Sequence, residues 1–386
     1  MNLLQNVRVK LFLQNTIFIV LTWINRFLPH SKKVILLYIN TDLRESNKAL
    51  LDYMLENNYN ESYRIICSCN NPKDYINGRN VYYVNRLGGV KAFFRAGSVF
   101  YSIGKIPIIP GRGQTVIQMW HGTPLKGASE GWKKNHIWKR QHYTWLLSPS
   151  RHFVPIFSQL FSVPKERIFI GGYPRCDDLF KSNPHYDFGE YRKIILWAPT
   201  FRKSIDTGIS EFLRNGTIIP ILKRNDYITF NAFLASIGVK IVVKLHPYQC
   251  LEGEDFAQMD YLILLSHHEF LSRKMNLYRF AVQSDALITD YSSIYFDYLL
   301  LDRPIAFTED DIDEYNNTRG FAVEDPGNYK PGVRMKTMED LKMFCENLIH
   351  EKDDYKAERE RVKKLSNDYC DGHFCERILN KMEITK

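Results

Sequence analysis

Several familiar signatures are missing from this sequence, and each absence removes a class of function. There is no GxxxxGK[ST] loop and no GxGxxG after the first apolar run. An ordinary P-loop nucleotidase and a dinucleotide dehydrogenase are thereby excluded. The seven cysteines are an odd number without a CxxC pair, which suits a reducing compartment better than a disulfide framework. Cys370, His373 and Cys375 lie close together but have no second ligand pair, so they read as part of a polar helix or loop. The formal charge of +9 comes without a long basic run or zinc-finger spacing. A nucleotide or a bilayer surface is therefore the expected anionic partner, and nucleic acid is not.

A long hydrophobic run is also lacking. Residues 9–28, "VKLFLQNTIFIVLTWINRFL", are broken by Gln14, Asn15, Asn25 and Arg26, and the clean part runs only from Thr16 to Ile24. A membrane-crossing helix needs about 20 nearly uninterrupted apolar residues, and no small-residue cleavage site follows to mark a signal peptide. On a helix, Arg8, Asn15, Thr22 and Arg26 fall on one polar stripe. Acidic residues are absent before Asp42, whereas Arg8, Lys10, Arg26, Lys32 and Lys33 are cationic. Such a segment either lies in the headgroup layer of an anionic leaflet or packs on the protein's own core. Residues 1–31 are expected to be an amphipathic, membrane-associating segment. A second basic and aromatic stretch holds Trp132, Lys133, Lys134, Trp138, Lys139, Arg140 and Trp145, a composition suited to the headgroup region.

What is present is a globular pattern, with 45% apolar residues and 24 phenylalanines in 386 residues, enough for two cores. Short β-branched and aromatic runs alternate with helix-like stretches. The first series is "VILLYIN", "YRIICSC", "NVYYVN", "SVFYS", "TVIQMW", "WLLSPS" and "RIFIGG"; the second is "KIILWAPT", "KIVVKLHP", "YLILLS", "ALITDYSS" and "PIAFTED". This alternation predicts two doubly wound α/β domains with parallel sheets. The polar segment 182–192 reads as the linker, giving domains at 32–185 and 186–386. The stretch from about 337 onward reads as charged amphipathic helix. Ligands in such domains bind outside the carboxyl ends of the strands, so a cleft between the two domains is the expected site.

The strand ends carry chemistry. "TVIQMW" ends at His121, a side chain able to move a proton near neutral pH. "RIFIGG" leads to Tyr173, Pro174 and Arg175; "KIILWAPT" ends at Pro199 and Thr200; "KIVVKLHP" at Lys244 and His246; "ALITD" at Asp290, before Ser292 and Ser293. A serine pair at a helix start offers hydroxyls and free N–H groups to a phosphate, or else simply caps the helix. Asp297, further along that helix, suits polyol hydroxyls, since it would repel a phosphate. Arg175 and Lys244 can neutralise a diphosphate. Glu309, Asp310, Asp311, Asp313 and Glu314 read as a solvated acidic loop, and no protein-bound metal or other cofactor is expected.

Taken together, "WHGTPLK", "GYPRCD", "WAPTFR", "KLHP" and "SDALITDYSSIYFDYLLLDRPIAF" resemble the CDP-glycerol glycerophosphotransferase family of teichoic acid primases, polymerases and capsule-building relatives. The likeness spans roughly residues 98–322. It implies a GT-B fold of two Rossmann-like domains facing across a cleft. It also implies transfer of glycerol phosphate from CDP-glycerol to a hydroxyl of a polyprenyl-diphosphate-linked glycan, with release of CMP. That acceptor implies peripheral attachment to the cytoplasmic side of the cell membrane. By motif, the resemblance puts Trp120, His121, Gly122, Thr123, Pro124, Arg175, Pro199, Thr200, Lys244, Leu245, His246, Ser292, Ser293 and Asp297 at the donor. His121 and His246 are the catalytic candidates, His121 as base, with their order left open. The short region before the first sheet is more like a primase or single-addition enzyme. Cys176 and Lys244 depart from the usual motif, which keeps a ribitol donor open. A GT-B glycosyltransferase using a nucleotide sugar is the alternative of the same fold.

Overall fold

Parallel strands form from the short β-branched and apolar runs of the two series. The structure, a computed structural model, describes residues 16–39, 43–102, 104–125, 142–182, 185–200, 219–245, 259–318 and 320–386. Seven strands make the first sheet: β1 Ser31–Tyr38, β2 Arg64–Ser68, β3 Val81–Val84, β4 Ala96–Tyr101, β5 Thr115–Gln118, β6 Trp145–Ser148 and β7 Ile168–Ile170. Their order is 3-2-1-4-5-6-7. The second sheet holds β8 Lys193–Ala198, β9 Val239–Lys244, β10 Leu262–Leu265, β11 Ala286–Thr289, β12 Ile305–Thr308 and β13 Val333–Met335, in the order 10-9-8-11-12-13. The pairings among these strands are parallel. The strand order therefore reverses between β1 and β4 and again between β8 and β11, the crevices where doubly wound folds take ligands.

Helices cover both sheets. Those of the early chain are α1 Ile17–Phe27, α2 Glu45–Glu56, α3 Arg86–Phe93 and α4 Val154–Phe161. They are followed by α5 Tyr227–Ile237, α6 His267–Ser272, α7 Leu277–Gln283, α8 Ile294–Tyr298 and α9 Ile312–Thr318. The chain closes with α10 Met338–Ile349, α11 Lys356–Ser366 and α12 Phe374–Lys381. Thus the C-terminal stretch is three helices separated by turns. The second core is apolar throughout, with Ile195, Trp197, Phe230, Ile241, Val243 and Ile288 fully buried.

Each of the twelve apolar runs yields a strand; β13 is added to them. Its residues, Val333, Arg334 and Met335, carry an arginine at the centre and make no continuous apolar run. The chain divides into two compact units, Met1–Thr123 with Ala128–Asp178 and Asn367–Lys386, and Pro124–Gly127 with Leu179–Ser366. The return of the last segment to the first unit is absent from a linear division at 185/186. It arises because α12 buries Phe374, Cys375, Ile378 and Leu379 and is bonded to Asp177 of the first unit.

Of the polar stripe, Thr22 and Arg26 lie on α1, and Arg8 and Asn15 lie outside the described residues. Thr22 is half-buried and Arg26 exposed, while the neighbouring Asn25 is fully buried. Asn25 donates to the carbonyl of Ile109 at 3.1 Å and to Gln114 Oε1 at 3.0 Å, and pairs with His30 Nε2 at 3.0 Å. Ile17, Val20, Trp23, Ile24 and Phe27 stay exposed. No helix among the described residues is long and apolar enough to cross a membrane.

Candidate functional site

The second unit builds its part of the site at the β8/β11 switch point. Ala198 pairs with Thr289, so the two strands end level and release Pro199–Thr200 and Asp290–Ser293 side by side. Asp290 is fully buried and ties these ends together. Its carboxylate accepts from the Thr200 N–H at 2.8 Å, from the Thr200 hydroxyl, from the Tyr291 N–H at 2.6 Å and from the Ser292 N–H at 3.2 Å. Ser292 and Ser293 are half-buried. Ser293 occupies the N-cap position of α8, yet its side chain makes no capping bond, so plain capping does not account for it.

A cationic cluster backs this turn. Tyr291 is buried, donates to Asp311 at 3.0 Å and stacks on Tyr315 with ring centroids 3.8 Å apart. The Lys330 ammonium sits 4.6 Å from the Tyr291 ring centroid and pairs with Glu309 at 2.7 Å. Arg334 reaches the same carboxylate at 3.3 Å. Burial lowers the Lys330 amine from its ordinary range, against the pull of Glu309. The expectation of a solvated acidic loop fails for Glu309 and Asp311, because Lys330, Arg334 and Tyr291 are folded against them. The sequence signal was weak, since Tyr291 precedes the acidic run, Lys330 and Arg334 follow it, and none shares a period with it.

The other residues of this unit are less alike. Lys244 is half-buried at the end of β9, beside β8, with its ammonium 5.9 Å from the Phe270 ring centroid. Leu245 is fully buried and its N–H bonds to the carbonyl of Leu265 at 3.0 Å. Asp297 points inward, 1% exposed, and receives the Tyr278 hydroxyl at 2.7 Å. Its partner here is a protein hydroxyl. Pro199 and Pro124 are buried, and the carbonyl of Leu125 accepts the Ala322 N–H at 2.8 Å. His246, Arg202 and Lys203 lie outside the described residues.

In the first unit the site residues leave β5, one strand from the β1/β4 switch. Gln118 holds the exit: its amide donates to the Gly104 carbonyl at 3.1 Å and accepts the Trp120 N–H at 3.1 Å. Trp120 has φ +60° and Gly122 φ +153°. A bulky residue in the left-handed region costs about 1–3 kcal/mol and persists where its surroundings over-determine it. Those surroundings are the Phe161 ring at 4.7 Å and the His121 ring at 4.0 Å, centroid to centroid. His121 is exposed and Thr123 is buried.

Arg175 follows β7 in the first unit, two strands from β5. It is 3% exposed, 3.7 Å from the Glu45 carboxylate and 4.5 Å from the Tyr173 ring centroid. The fold thus gathers Trp120, His121, Gly122 and Thr123 at one strand end of the first unit. Thr200, Ser292 and Ser293 gather at the switch point of the second. Lys105, past the end of β4, escaped the sequence reading; burial pushes its amine down to about 8. Among the described residues no cluster of His, Cys, Asp and Glu is spaced to hold a metal ion.

Residues 20–383 match the family described as CDP-Glycerol:Poly(glycerophosphate) glycerophosphotransferase. The chain is 28% identical over 353 residues to the teichoic acid poly(glycerol phosphate) polymerase of Bacillus spizizenii, covering 83% of this chain and 82% of that one. It is 29% identical over 300 residues to the polymerase of the same description from Staphylococcus epidermidis, covering 70% of this chain but only 39% of that longer protein. Among solved structures, the wall teichoic acid polymerase TagF shares the fold with a TM-score of 0.75 at 23% identity, over 96% of this chain and 92% of that one. TagF has also been solved after a soak with CDPG.

Proposed function

The chain belongs to the CDP-glycerol:poly(glycerophosphate) glycerophosphotransferase family, a family of teichoic acid transferases, and from that membership we propose that it moves glycerol phosphate from CDP-glycerol to a hydroxyl of a lipid-linked glycan. The observation that carries this reading is the Asp290-organised switch point of the second unit. There Thr200, Ser292 and Ser293 leave two level strand ends, with the Ser293 hydroxyl not spent on capping.

In this reading the acceptor oxygen attacks the β-phosphorus, the one bearing glycerol. The bond from that phosphorus to the bridging oxygen breaks, and CMP leaves with the electron pair. His121 takes the acceptor proton. Ser292, Ser293, Lys244 and Arg175 meet the donor's negative charge, with His246 assigned a share of it. Trp120, Gly122, Thr123, Pro124, Pro199, Thr200 and Leu245 shape the donor's surroundings, and Asp297 is assigned to polyol hydroxyls. A lipid-linked acceptor requires work at a bilayer, so we assign the enzyme a peripheral place on the cytoplasmic leaflet.

A product assay tests the reading. The protein is supplied with CDP-glycerol, CDP-ribitol or a nucleotide sugar together with a lipid-linked disaccharide, and products are weighed by mass spectrometry. A gain of one glycerol phosphate marks a primase-type enzyme and a ladder marks a polymerase. Mass gained only from CDP-ribitol moves the donor assignment, and mass gained only from the nucleotide sugar overturns phosphotransfer.

A further inference from the structure

Two serine hydroxyls of the first unit are buried without a hydrogen-bond partner. They belong to Ser46, in the first turn of α2, and Ser102, one residue past β4, both fully buried. The fold brings them to the same place. Asn47 Nδ2 donates to the carbonyl of Tyr38 at 3.1 Å, which fastens the start of α2 to the end of β1. Tyr38 pairs with Tyr101, so β1 and β4 end level at the switch point. Alternate residues of a strand share a face. Cys67 is level with Leu37 and Leu37 with Phe100, and the Cys67 thiol feels the charges of Lys48 and Asp52 on α2. Phe100 and Ser102 therefore lie on the face that α2 covers. On the opposite face Gly89 of α3 comes against Ser68 and Tyr38.

Two charged groups complete the cluster. Glu45 opens α2 with its side chain a third exposed, and Arg175 lies 3.7 Å from its carboxylate. The side chain of Arg44 makes no capping bond to this helix start, whose first N–H groups have no intrahelical acceptor. The Met119 N–H bonds to the carbonyl of Tyr101 at 2.8 Å, so Ser102 stands one strand from the exit that presents His121.

A buried hydroxyl without a partner destabilises the fold, and folding alone gives no reason to keep two of them together. A ligand that bonds to them removes the deficit. Glu45 narrows its chemistry. A carboxylate repels a phosphate but accepts from a hydroxyl, and a serine either donates to such a hydroxyl or accepts from it. We propose that Glu45, Ser46 and Ser102 bind hydroxyls of the acceptor glycan beside the one that attacks, and so present the attacking oxygen to His121. The proposal rests on the transferase reading and gives that reaction an acceptor site, on residues that no sequence motif marked.

Initial rates are measured with CDP-glycerol and a short water-soluble disaccharide acceptor, then with the same disaccharide carrying hydrogen in place of one hydroxyl at a time. S46A, S102A and E45Q are each expected to raise the acceptor KM by about tenfold, with the Kd for CDP-glycerol, read by calorimetry, held within about twofold. S46A and S102A should keep or raise Tm, since each deletes an unpaired buried hydroxyl. S284A deletes a buried hydroxyl that donates to the Ala281 carbonyl at 2.8 Å; it should lower Tm and leave the acceptor KM alone. One deoxy acceptor should bind the native chain more weakly by the same factor, and the serine variants should no longer distinguish it from the parent. A Tm that falls in S46A and S102A at unchanged acceptor KM would make the hydroxyls part of the fold and overturn the site. Competition of inorganic phosphate against the acceptor would make it an anion site and overturn the hydroxyl assignment. Transfer by the native chain with the acceptor KM unmoved in all three variants removes this site and leaves the transferase reading standing. No transfer from CDP-glycerol to the parent disaccharide removes both.

Discussion

Asp290 and His121 stand at opposite extremes of burial, and the difference separates two kinds of site residue. The Asp290 carboxylate accepts from two residues of its own turn and from Thr200 on the neighbouring strand end. Asp290→Ala leaves buried donors without an acceptor, so a loss of about 3 kcal/mol is expected, together with weakened CDP-glycerol binding. Chemical denaturation and donor titration measure the two; an unchanged midpoint would show that the turn holds itself. His121 is exposed, and His121→Ala is expected to leave stability within about 0.5 kcal/mol of the native value. Transfer should fall by about 10²–10⁴ if the imidazole is the base. Turnover above about a third of native would remove it from that role. The side chain was legible in the sequence because histidine after an apolar run is a local signal. The left-handed Trp120 backbone that presents it was not, since φ depends on the Phe161 and Gln118 contacts.

At the scale of elements, the "GYPRCD" segment does more than present Arg175. The Asp177 carboxylate accepts the N–H groups of Phe374 at 2.7 Å and Cys375 at 2.9 Å, satisfying two donors at the start of α12. Gly172, at φ +71°, lies where a Cβ would come within 2.2 Å of the Phe374 ring. An eight-residue helix is too short to persist alone, so α12 depends on this seat. Asp177→Ala should cost about 2 kcal/mol and raise amide exchange in 374–381 before the rest of the first unit; uniform exchange would argue against a local seat. The second unit has a comparable anchor in α11, where Arg359, 2% exposed, meets Asp353 through 2.7 and 2.6 Å bonds. Hydrogen bonding to Arg359 holds the Asp353 carboxyl below its ordinary range. With the folded value lowered, its stabilisation is full above the usual carboxylate range and is lost as pH falls through the folded value. Asp353→Asn should therefore cost about 3 kcal/mol at neutral pH, and the gap from native should close below about pH 4. A gap that persists there would assign the effect to packing. The strands were legible because a continuous β-branched run is a local property. The seats of α11 and α12 were not, because the acceptor of α12 lies 197 residues before its donor and nothing periodic connects them.

For the whole molecule the excess of 52 basic over 43 acidic residues matters less than where acids are missing. Residues 1–41 and 75–129 contain none, and Lys133, Lys134, Lys139 and Arg140 follow shortly after, in a stretch outside the described residues. Such a distribution gives long-range attraction to an anionic leaflet that salt screens over about 10 Å at 0.1 M. Truncation at residue 30 is a poor probe of it. Removing Asn25 would leave Gln114 short of a partner in the interior of the first unit, so that folding and binding would change together. Charge substitution outside that network is cleaner. Replacing Lys133, Lys134, Lys139 and Arg140 with glutamine should weaken sedimentation with anionic vesicles, each cation counting for up to about 1 kcal/mol at low salt. The difference from native should shrink as salt rises from about 0.05 to 0.5 M, because the Debye length falls severalfold over that range. A native protein that binds neutral and anionic vesicles equally, at every salt concentration, would show that the acid-free segments serve something other than a membrane. Loss of binding at high salt with transfer to a soluble acceptor retained would place the charge in recruitment, outside the chemistry at His121 and the Asp290 turn.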